Sequence, residues 1–87
     1  MAHVLARLRN VKFDVIEAIL KADAVEHSSY SLYLEHLWKN ADDSNEVLFL
    51  FRSDDLNRSK EFITQVHAQA RSEDPDANLP DITYLDH

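Results

Sequence analysis

The sequence predicts an α+β fold in which two helices cover one face of a four-stranded antiparallel sheet. Strand-like and helix-like patterns follow one another in the order strand, helix, strand, strand, helix, strand. The third strand is apolar at every position from 47 to 51. Because side chains alternate between the two faces of a strand, this one needs apolar cover on both sides. One layer of helices covers only one side.

The first strand is expected at residues 3–9, where apolar and polar residues alternate. The first helix is expected to begin at about Phe13, since Asp14 can cap its N-terminus and Glu17 follows three residues later. An apolar stripe at helical spacing extends this helix to about Val25.

A hairpin is predicted next, because aromatic and branched residues fill 30–38 and a polar turn at 40–45 precedes the apolar strand. The simplest register pairs Lys39 with Glu46. It places on the helix-covered face Leu34, His36, Trp38, Val47, Phe49 and Phe51. A β-bulge would exchange the two faces.

The second helix is expected to start at 53–55, with two acids near its positive end, and its apolar repeat continues to about residue 70. The stretch 72–80 holds both prolines and is expected to be a loop, and 82–85 is a short last strand. This order is that of a ferredoxin-like split βαβ domain, with 1–87 as a single domain. The chain has no glycine, so Asn40, Asn45 and Asn78 are expected at left-handed turns.

The small size of the chain indicates self-association. At 87 residues, folding removes only about 60 to 65% of the surface of the unfolded chain, which makes a lone monomer marginally stable. A second copy is therefore the expected cover for the second sheet face, as a dimeric α/β barrel. The predicted dimer interface consists of Tyr33, Glu35, Leu37, Leu48, Leu50 and Arg52.

Charge and composition exclude several classes of partner. Sixteen acids against nine scattered bases give a net charge of −7, which disfavours binding to nucleic acid or to anionic membrane surfaces. No apolar run approaches the roughly 18 residues of a membrane span. Without cysteine there is neither a disulfide nor a thiol nucleophile, and the cytoplasm is the expected compartment.

Four segments, VKFD at 11–14, LWKNADDSNEVLFLF at 37–51, DDL at 54–56 and PDITYL at 80–85, run in order across nearly the whole chain. Together they resemble the small dimeric α/β-barrel proteins related to antibiotic-biosynthesis monooxygenases, most of which have no assigned activity. The resemblance implies a homodimer whose two sheets meet face to face, with a cavity between sheet and helices in each subunit. The Asn, Trp and His set of the haem-degrading members has no match, so haem degradation is not implied.

The candidate ligand-binding residues are His36, Trp38 and His67. A histidine titrates near neutral pH and can act as a general base, and a tryptophan can stack on a flat substrate. Packing is the commoner role for His36 and Trp38, and solvent exposure for His67. No convergent acid, base and nucleophile is found, so no catalytic residue is assigned. The histidines lack the paired spacing of a metal site, so no metal or cofactor is expected.

Two functions remain open. The first is a homodimeric protein that binds a small-molecule ligand without chemistry of its own. The alternative is a cofactor-independent monooxygenase or isomerase acting on a small aromatic or polyketide-like compound. A third, purely structural role would require an exposed apolar patch that dimer formation does not use.

Overall fold

The computed structural model describes residues 1–86, which form four strands and three helices. They are β1 Ala2–Arg9, α1 Phe13–Ala22, α2 Ala24–Ser29, β2 Leu32–Lys39, β3 Glu46–Ser53, α3 Leu56–Glu73 and β4 Asp81–Leu85. The strands make one antiparallel sheet in the order β2-β3-β1-β4. This is the order of the ferredoxin-like fold, so the predicted α+β class is confirmed.

The first predicted helix is in fact two helices. α1 ends at Ala22, Asp23 adopts φ −94° and ψ 4°, and α2 then continues to Ser29. α2 buries no residue completely, so its sequence carries no strong apolar stripe that could predict it. No helix within residues 1–86 combines the length and the apolar character needed to cross a membrane.

The helix starts differ in how they are capped. α3 starts as predicted after Asp55, whose carboxylate accepts a hydrogen bond from the backbone N–H of Arg58 at 3.2 Å. α1 starts after Lys12, which makes no side-chain cap, and Asp14 lies inside the first turn. The predicted capping role of Asp14 is therefore wrong, although its charge remains near the positive end of the helix.

The core lies between the sheet and the helices. Val4, Ala6 and Val47 on the two central strands are fully buried. α1 contributes Ile16 and Leu20 to this core. The remaining buried apolar residues are Leu8, Leu32, Phe49, Phe51 and Ile63. Within residues 1–86, no helix covers the opposite face of the sheet.

Over residues 36–39 of β2, the pairing with β3 is shifted by one residue from the predicted register. Trp38 lies opposite Leu48 and His36 lies opposite Leu50, and the register shifts at Glu35. An extra residue in one strand of an antiparallel pair is a β-bulge. Beyond it the predicted pairing returns, so that Leu34 faces Phe51 and Tyr33 faces Arg52.

The bulge corrects the predicted faces of three residues. His36 and Trp38 do not lie beneath the helices, because their partners Leu48 and Leu50 are on the uncovered side of β3. Leu37 does not lie on the uncovered side, because it is paired with Phe49 and packs against the core. The physical reason is the period of two in a strand, which makes a shift of one residue exchange the faces.

The uncovered side is called here the open sheet face. Side chains alternate between the two faces of each strand, so the observed register defines which residues lie on the open sheet face. They are His3, Leu5, Arg7, Arg9, Tyr33, His36, Trp38, Glu46, Leu48, Leu50, Arg52, Asp81, Thr83 and Leu85. Its centre at Leu5, Leu48 and Leu50 is apolar and only partly buried. Charged residues lie toward its ends.

Two residues adopt a left-handed backbone within the described chain. They are Asn10, with φ 60°, and Ser31, with φ 65°. Ser31 follows Tyr30, the C-cap of α2, at the position where helices usually carry glycine. The expected left-handed geometry at Asn40, Asn45 and Asn78 is not found, so that prediction is wrong.

Candidate functional site

A cleft of about 270 Å³ opens between α1, α2 and the edge strand β2. Its lining is Leu20, Lys21, Ala24, His27, Leu32, Tyr33 and Leu34. A shallower extension of about 200 Å³ continues along β2 and shares Lys21 and Leu34 with it. The extension is lined in addition by Glu17, Glu35, His36 and Leu37. The two parts form one elongated depression, called here the edge cleft.

The position of α1 over the sheet creates the edge cleft. Ile16 and Leu20 are buried against the sheet, and one residue further on Glu17 and Lys21 lie on the flank of the helix beside β2. Because β2 is the last strand of the sheet, no neighbouring strand fills the space under this flank. Leu34 remains 41% exposed at the bottom of the depression.

His27 of α2 lies at the inner end of the edge cleft. Its ring meets Phe51 edge-on with centroids 5.3 Å apart and Phe62 with centroids 6.1 Å apart. Burial lowers the pKa of His27 below its ordinary value, an effect that Asp23 and Glu26 oppose. Among residues 1–86, no side chain or backbone group hydrogen-bonds to its ring nitrogens. The neutral imidazole therefore offers one donor and one acceptor to the cleft.

α2 is held against α3 at its C-terminal end. The Ser59 hydroxyl donates to the Tyr30 carbonyl oxygen at 3.0 Å, and Arg58 Nε donates to the Ser29 carbonyl oxygen at 3.1 Å. The Tyr30 ring stacks on Phe62 with centroids 4.1 Å apart. These contacts fix the helix that carries His27, although the helix buries little surface of its own.

The three predicted ligand-binding residues are not brought together. His36 stacks on Trp38 with ring centroids 5.0 Å apart, and both side chains are exposed on the open sheet face. His36 also reaches the extension of the edge cleft, whereas Trp38 is not among its lining residues. His67 is half-buried on α3, away from the cleft lining, and burial and then Arg71 lower its pKa.

Sequence reasoning missed His27, although a signal for it was present. The interval between Leu20 and His27 is seven residues, which returns to the same face of a helix. Because the first helix was expected to end near Val25, His27 was not considered part of it. Extending the helical pattern by two residues places His27 on the side that packs on the sheet.

A buried carboxylate lies at one end of the open sheet face. Glu46 is 5% exposed and accepts hydrogen bonds from Asn40 Nδ2 at 2.9 Å and from Arg9 Nε at 3.1 Å. Arg7 Nε lies 3.3 Å from the same carboxylate. The Asn40 hydrogen bond, followed by those of the two arginines, lowers the pKa of Glu46 despite its burial. The charge of Glu46 is thus fully compensated within the chain.

The charged side chains at the other end of the open sheet face also have partners within the chain. His3 Nε2 lies 3.0 Å from Glu35 Oε1, and Arg52 Nε donates to Asp54 Oδ1 at 3.2 Å. The Arg52 guanidinium also lies over the Tyr33 ring, 4.6 Å from its centroid. In the described part of the chain, no three histidine, aspartate or glutamate side chains converge closely enough to hold a metal ion.

Comparison with known proteins finds similarity in structure alone. No protein-family model matches the chain, and no curated protein sequence matches it. A proposed antibiotic biosynthesis monooxygenase from Deinococcus radiodurans superposes with a TM-score of 0.64 at 12% identity, over 100% of this chain and 92% of that one. Rv0793 from Mycobacterium tuberculosis gives a TM-score of 0.63 at 17% identity, over 99% and 93%.

An uncharacterized NIPSNAP domain protein from Burkholderia xenovorans is also similar, with a TM-score of 0.56 at 18% identity over 100% of this chain and 94% of that one. At such identities the likeness defines the fold and not the activity. The resemblance seen in the sequence is thereby confirmed for the fold. The chain shares the ferredoxin-like fold of antibiotic-biosynthesis-monooxygenase-like and NIPSNAP proteins.

Proposed function

We propose that the chain forms a homodimer in which each subunit binds a small molecule in its edge cleft. The observation that carries this proposal is the imidazole of His27 at the inner end of a mostly apolar depression, with no hydrogen bond to its ring nitrogens from residues 1–86. Binding sites for small molecules are typically apolar, with a few polar groups that orient the ligand. The absence of cysteine leaves the cytoplasm as the expected compartment.

The open sheet face supports the homodimer. Its apolar centre at Leu5, Leu48 and Leu50 is uncovered by any helix, and Trp38 is 46% exposed beside it. Two copies related by a twofold axis would bury this surface against itself. Arg9, Arg52, Glu35 and Glu46 at the ends of this face already have partners within the chain, which limits the cost of burying charge there.

The predicted interface changes in two ways under this proposal. Tyr33, Leu48, Leu50 and Arg52 remain on the open sheet face, with Glu35 at the bulge beside them. Leu37 leaves the interface for the core. His36 and Trp38 join it, since the observed register places them on the open face. The roles of His36, Trp38 and His67 in ligand binding stay predictions.

The dimer is tested by light scattering coupled to a sizing column. We expect the wild type at twice 10.1 kDa and the variant Leu50→Lys at 10.1 kDa. Val15→Lys is the matched control, because Val15 is 53% exposed on α1 and lies outside the open sheet face. A wild type that is monomeric at every concentration, or a dimeric Leu50→Lys variant, would contradict the proposed interface.

Ligand binding is tested by following backbone amide resonances during titration with a library of small fragments. Bound fragments should shift the amides of 20–34 and leave those of the exposed side of α3 unchanged. His27→Phe keeps the aromatic packing and removes the group that would hydrogen-bond to the ligand, so it should weaken the hits. Ser72→Phe, at an exposed position near the end of α3, is the control and should not. The absence of any hit, or hits confined to α3, would refute the cleft as the site.

A cofactor-independent monooxygenase or isomerase is the second candidate function. The observation that favours it is the position of the His27 ring in the lining of the cleft, where burial lowers the pKa of His27 and leaves a neutral imidazole that can act as a base at neutral pH. A base of this kind can abstract a proton from a small aromatic or polyketide-like substrate. The test is whether the wild type converts such a substrate to product and whether His27→Gln does not. The rate of the wild type should fall as the pH is lowered and His27 becomes protonated.

A further inference from the structure

The ionised groups of the edge cleft are already paired within the chain. Lys21 lies 3.9 Å from Glu17 on the same flank of α1. Glu35, at the far end of the extension, hydrogen-bonds to His3. A charged ligand entering the cleft would therefore have to compete with these contacts for an opposite charge, and it would lose its hydration on the way in.

The walls of the inner part of the edge cleft are mostly apolar. Leu20, Ala24 and Leu32 form them, and the imidazole of His27 lies among them. Of the two other polar residues in this lining, Lys21 is paired with Glu17, and the Tyr33 ring lies beneath the guanidinium of Arg52. A neutral imidazole can accept a hydrogen bond at one nitrogen and donate one at the other. A site that hydrogen-bonds a ligand in an apolar setting discriminates strongly against analogues that lack the bonding group.

We infer that the edge cleft selects small uncharged apolar molecules with a single hydroxyl or carbonyl oxygen, which bonds to the ring of His27. This inference rests on the proposed function, because it specifies the ligand class of the same site. The inner part of the edge cleft, where His27 lies, has a volume of about 270 Å³, below the roughly 300 Å³ at which sites for drug-sized ligands begin, so the ligand held there is small.

Three probes of equal chain length test the charge preference. They are hexan-1-ol, which is neutral, 6-aminohexan-1-ol, which is cationic, and 6-hydroxyhexanoate, which is anionic. Each is titrated at pH 7.5 against the wild-type protein while the amide resonances of 20–34 are followed. We expect hexan-1-ol to bind about tenfold more tightly than either charged probe. His27→Phe should weaken hexan-1-ol binding about fivefold, whereas Ser72→Phe, at an exposed position near the end of α3, should leave its affinity unchanged.

The outcomes separate this inference from the proposed function. Equal or tighter binding of a charged probe would leave the cleft as a binding site and overturn the uncharged ligand class. Unchanged hexan-1-ol affinity in a folded His27→Phe variant would overturn the role of His27. If none of the probes binds but library fragments do, the inference fails alone. If neither binds, both proposals fail.

Discussion

The hydroxyl oxygens of Ser53 and Ser59 lie 2.7 Å apart in the core, where Ser59 is fully buried. Because Ser59 donates its proton to the carbonyl oxygen of Tyr30 at 3.0 Å, Ser53 donates to Ser59. This short chain of hydrogen bonds joins β3, α3 and the end of α2. It thereby fixes the helix that carries the imidazole of the edge cleft.

Replacing Ser59 with alanine should destabilise the fold. The change removes the acceptor of Ser53 and the donor to Tyr30, and leaving such buried groups unpaired costs about 1 to 3 kcal/mol. The measurement is urea denaturation followed by circular dichroism. Ser72→Ala on the exposed side of the same helix is the control and should change the unfolding free energy by less than about 0.5 kcal/mol. Equal stability of the two variants would contradict the role of the serine pair.

The sequence alone predicted the sheet and most of its elements, because alternation in residues 3–9 and the apolar run 47–51 are direct consequences of burial. It could not predict the bulge at Glu35, since neither glycine nor proline marks it and both registers place His36 and Trp38 opposite apolar residues. One extra residue was enough to move His36 and Trp38 to the other face of the sheet.

The candidate site was less predictable than the fold. α2 is held by contacts distant in sequence, such as those of Tyr30 with Phe62 and with Ser59, and not by an apolar stripe of its own. Apart from the seven-residue interval between Leu20 and His27, the local pattern therefore gave no reason to continue the helix to His27. The cleft depends further on the placement of β2 at the sheet edge, which is a property of the assembled fold.

Glu46 should make the protein sensitive to acid. Hydrogen bonding from Asn40 and then from the arginines lowers its folded pKa below the ordinary value of 4.5. A carboxyl group whose pKa is lower in the folded chain than in the unfolded chain stabilises the fold at pH values above its unfolded pKa. This stabilisation is lost as the pH falls through its folded pKa. The unfolding free energy of the wild type, measured in urea from pH 6 to pH 3, should therefore fall on acidification.

Glu46→Gln should remove this contribution, giving a variant that is less stable than wild type at pH 6 but loses less stability on acidification. Glu61→Gln removes a charge from an exposed position on α3 and is the control. A pH dependence of Glu46→Gln that coincides with those of the wild type and the control would show that Glu46 is not responsible.

Ser31→Gly should stabilise the fold. Ser31 holds φ 65° just after α2, where a side chain with a Cβ atom is strained by about 1 to 2 kcal/mol and glycine is not. Part of this gain is offset because glycine has more freedom in the unfolded chain, which leaves about 0.5 to 1 kcal/mol. The measurement is thermal unfolding. Ser31→Gly should unfold at a higher temperature than the wild type, and Ser31→Val at a lower temperature. A Ser31→Val variant as stable as wild type would contradict the strained geometry.

Deletion of Glu35 tests the bulge directly. With Glu35 removed, strict alternation keeps Leu34 and Leu37 on the helix side and His36 on the open side, so β2 becomes a regular strand with its faces unchanged. The loss is the exposed contact with His3, which contributes at most about 1 kcal/mol.

Deleting Leu37 instead should shift the register at Trp38 and Lys39 and remove a side chain that packs against the core. Amide spectra and urea denaturation should show a folded Glu35 deletion and a strongly destabilised Leu37 deletion; the reverse order would place the extra residue elsewhere in β2.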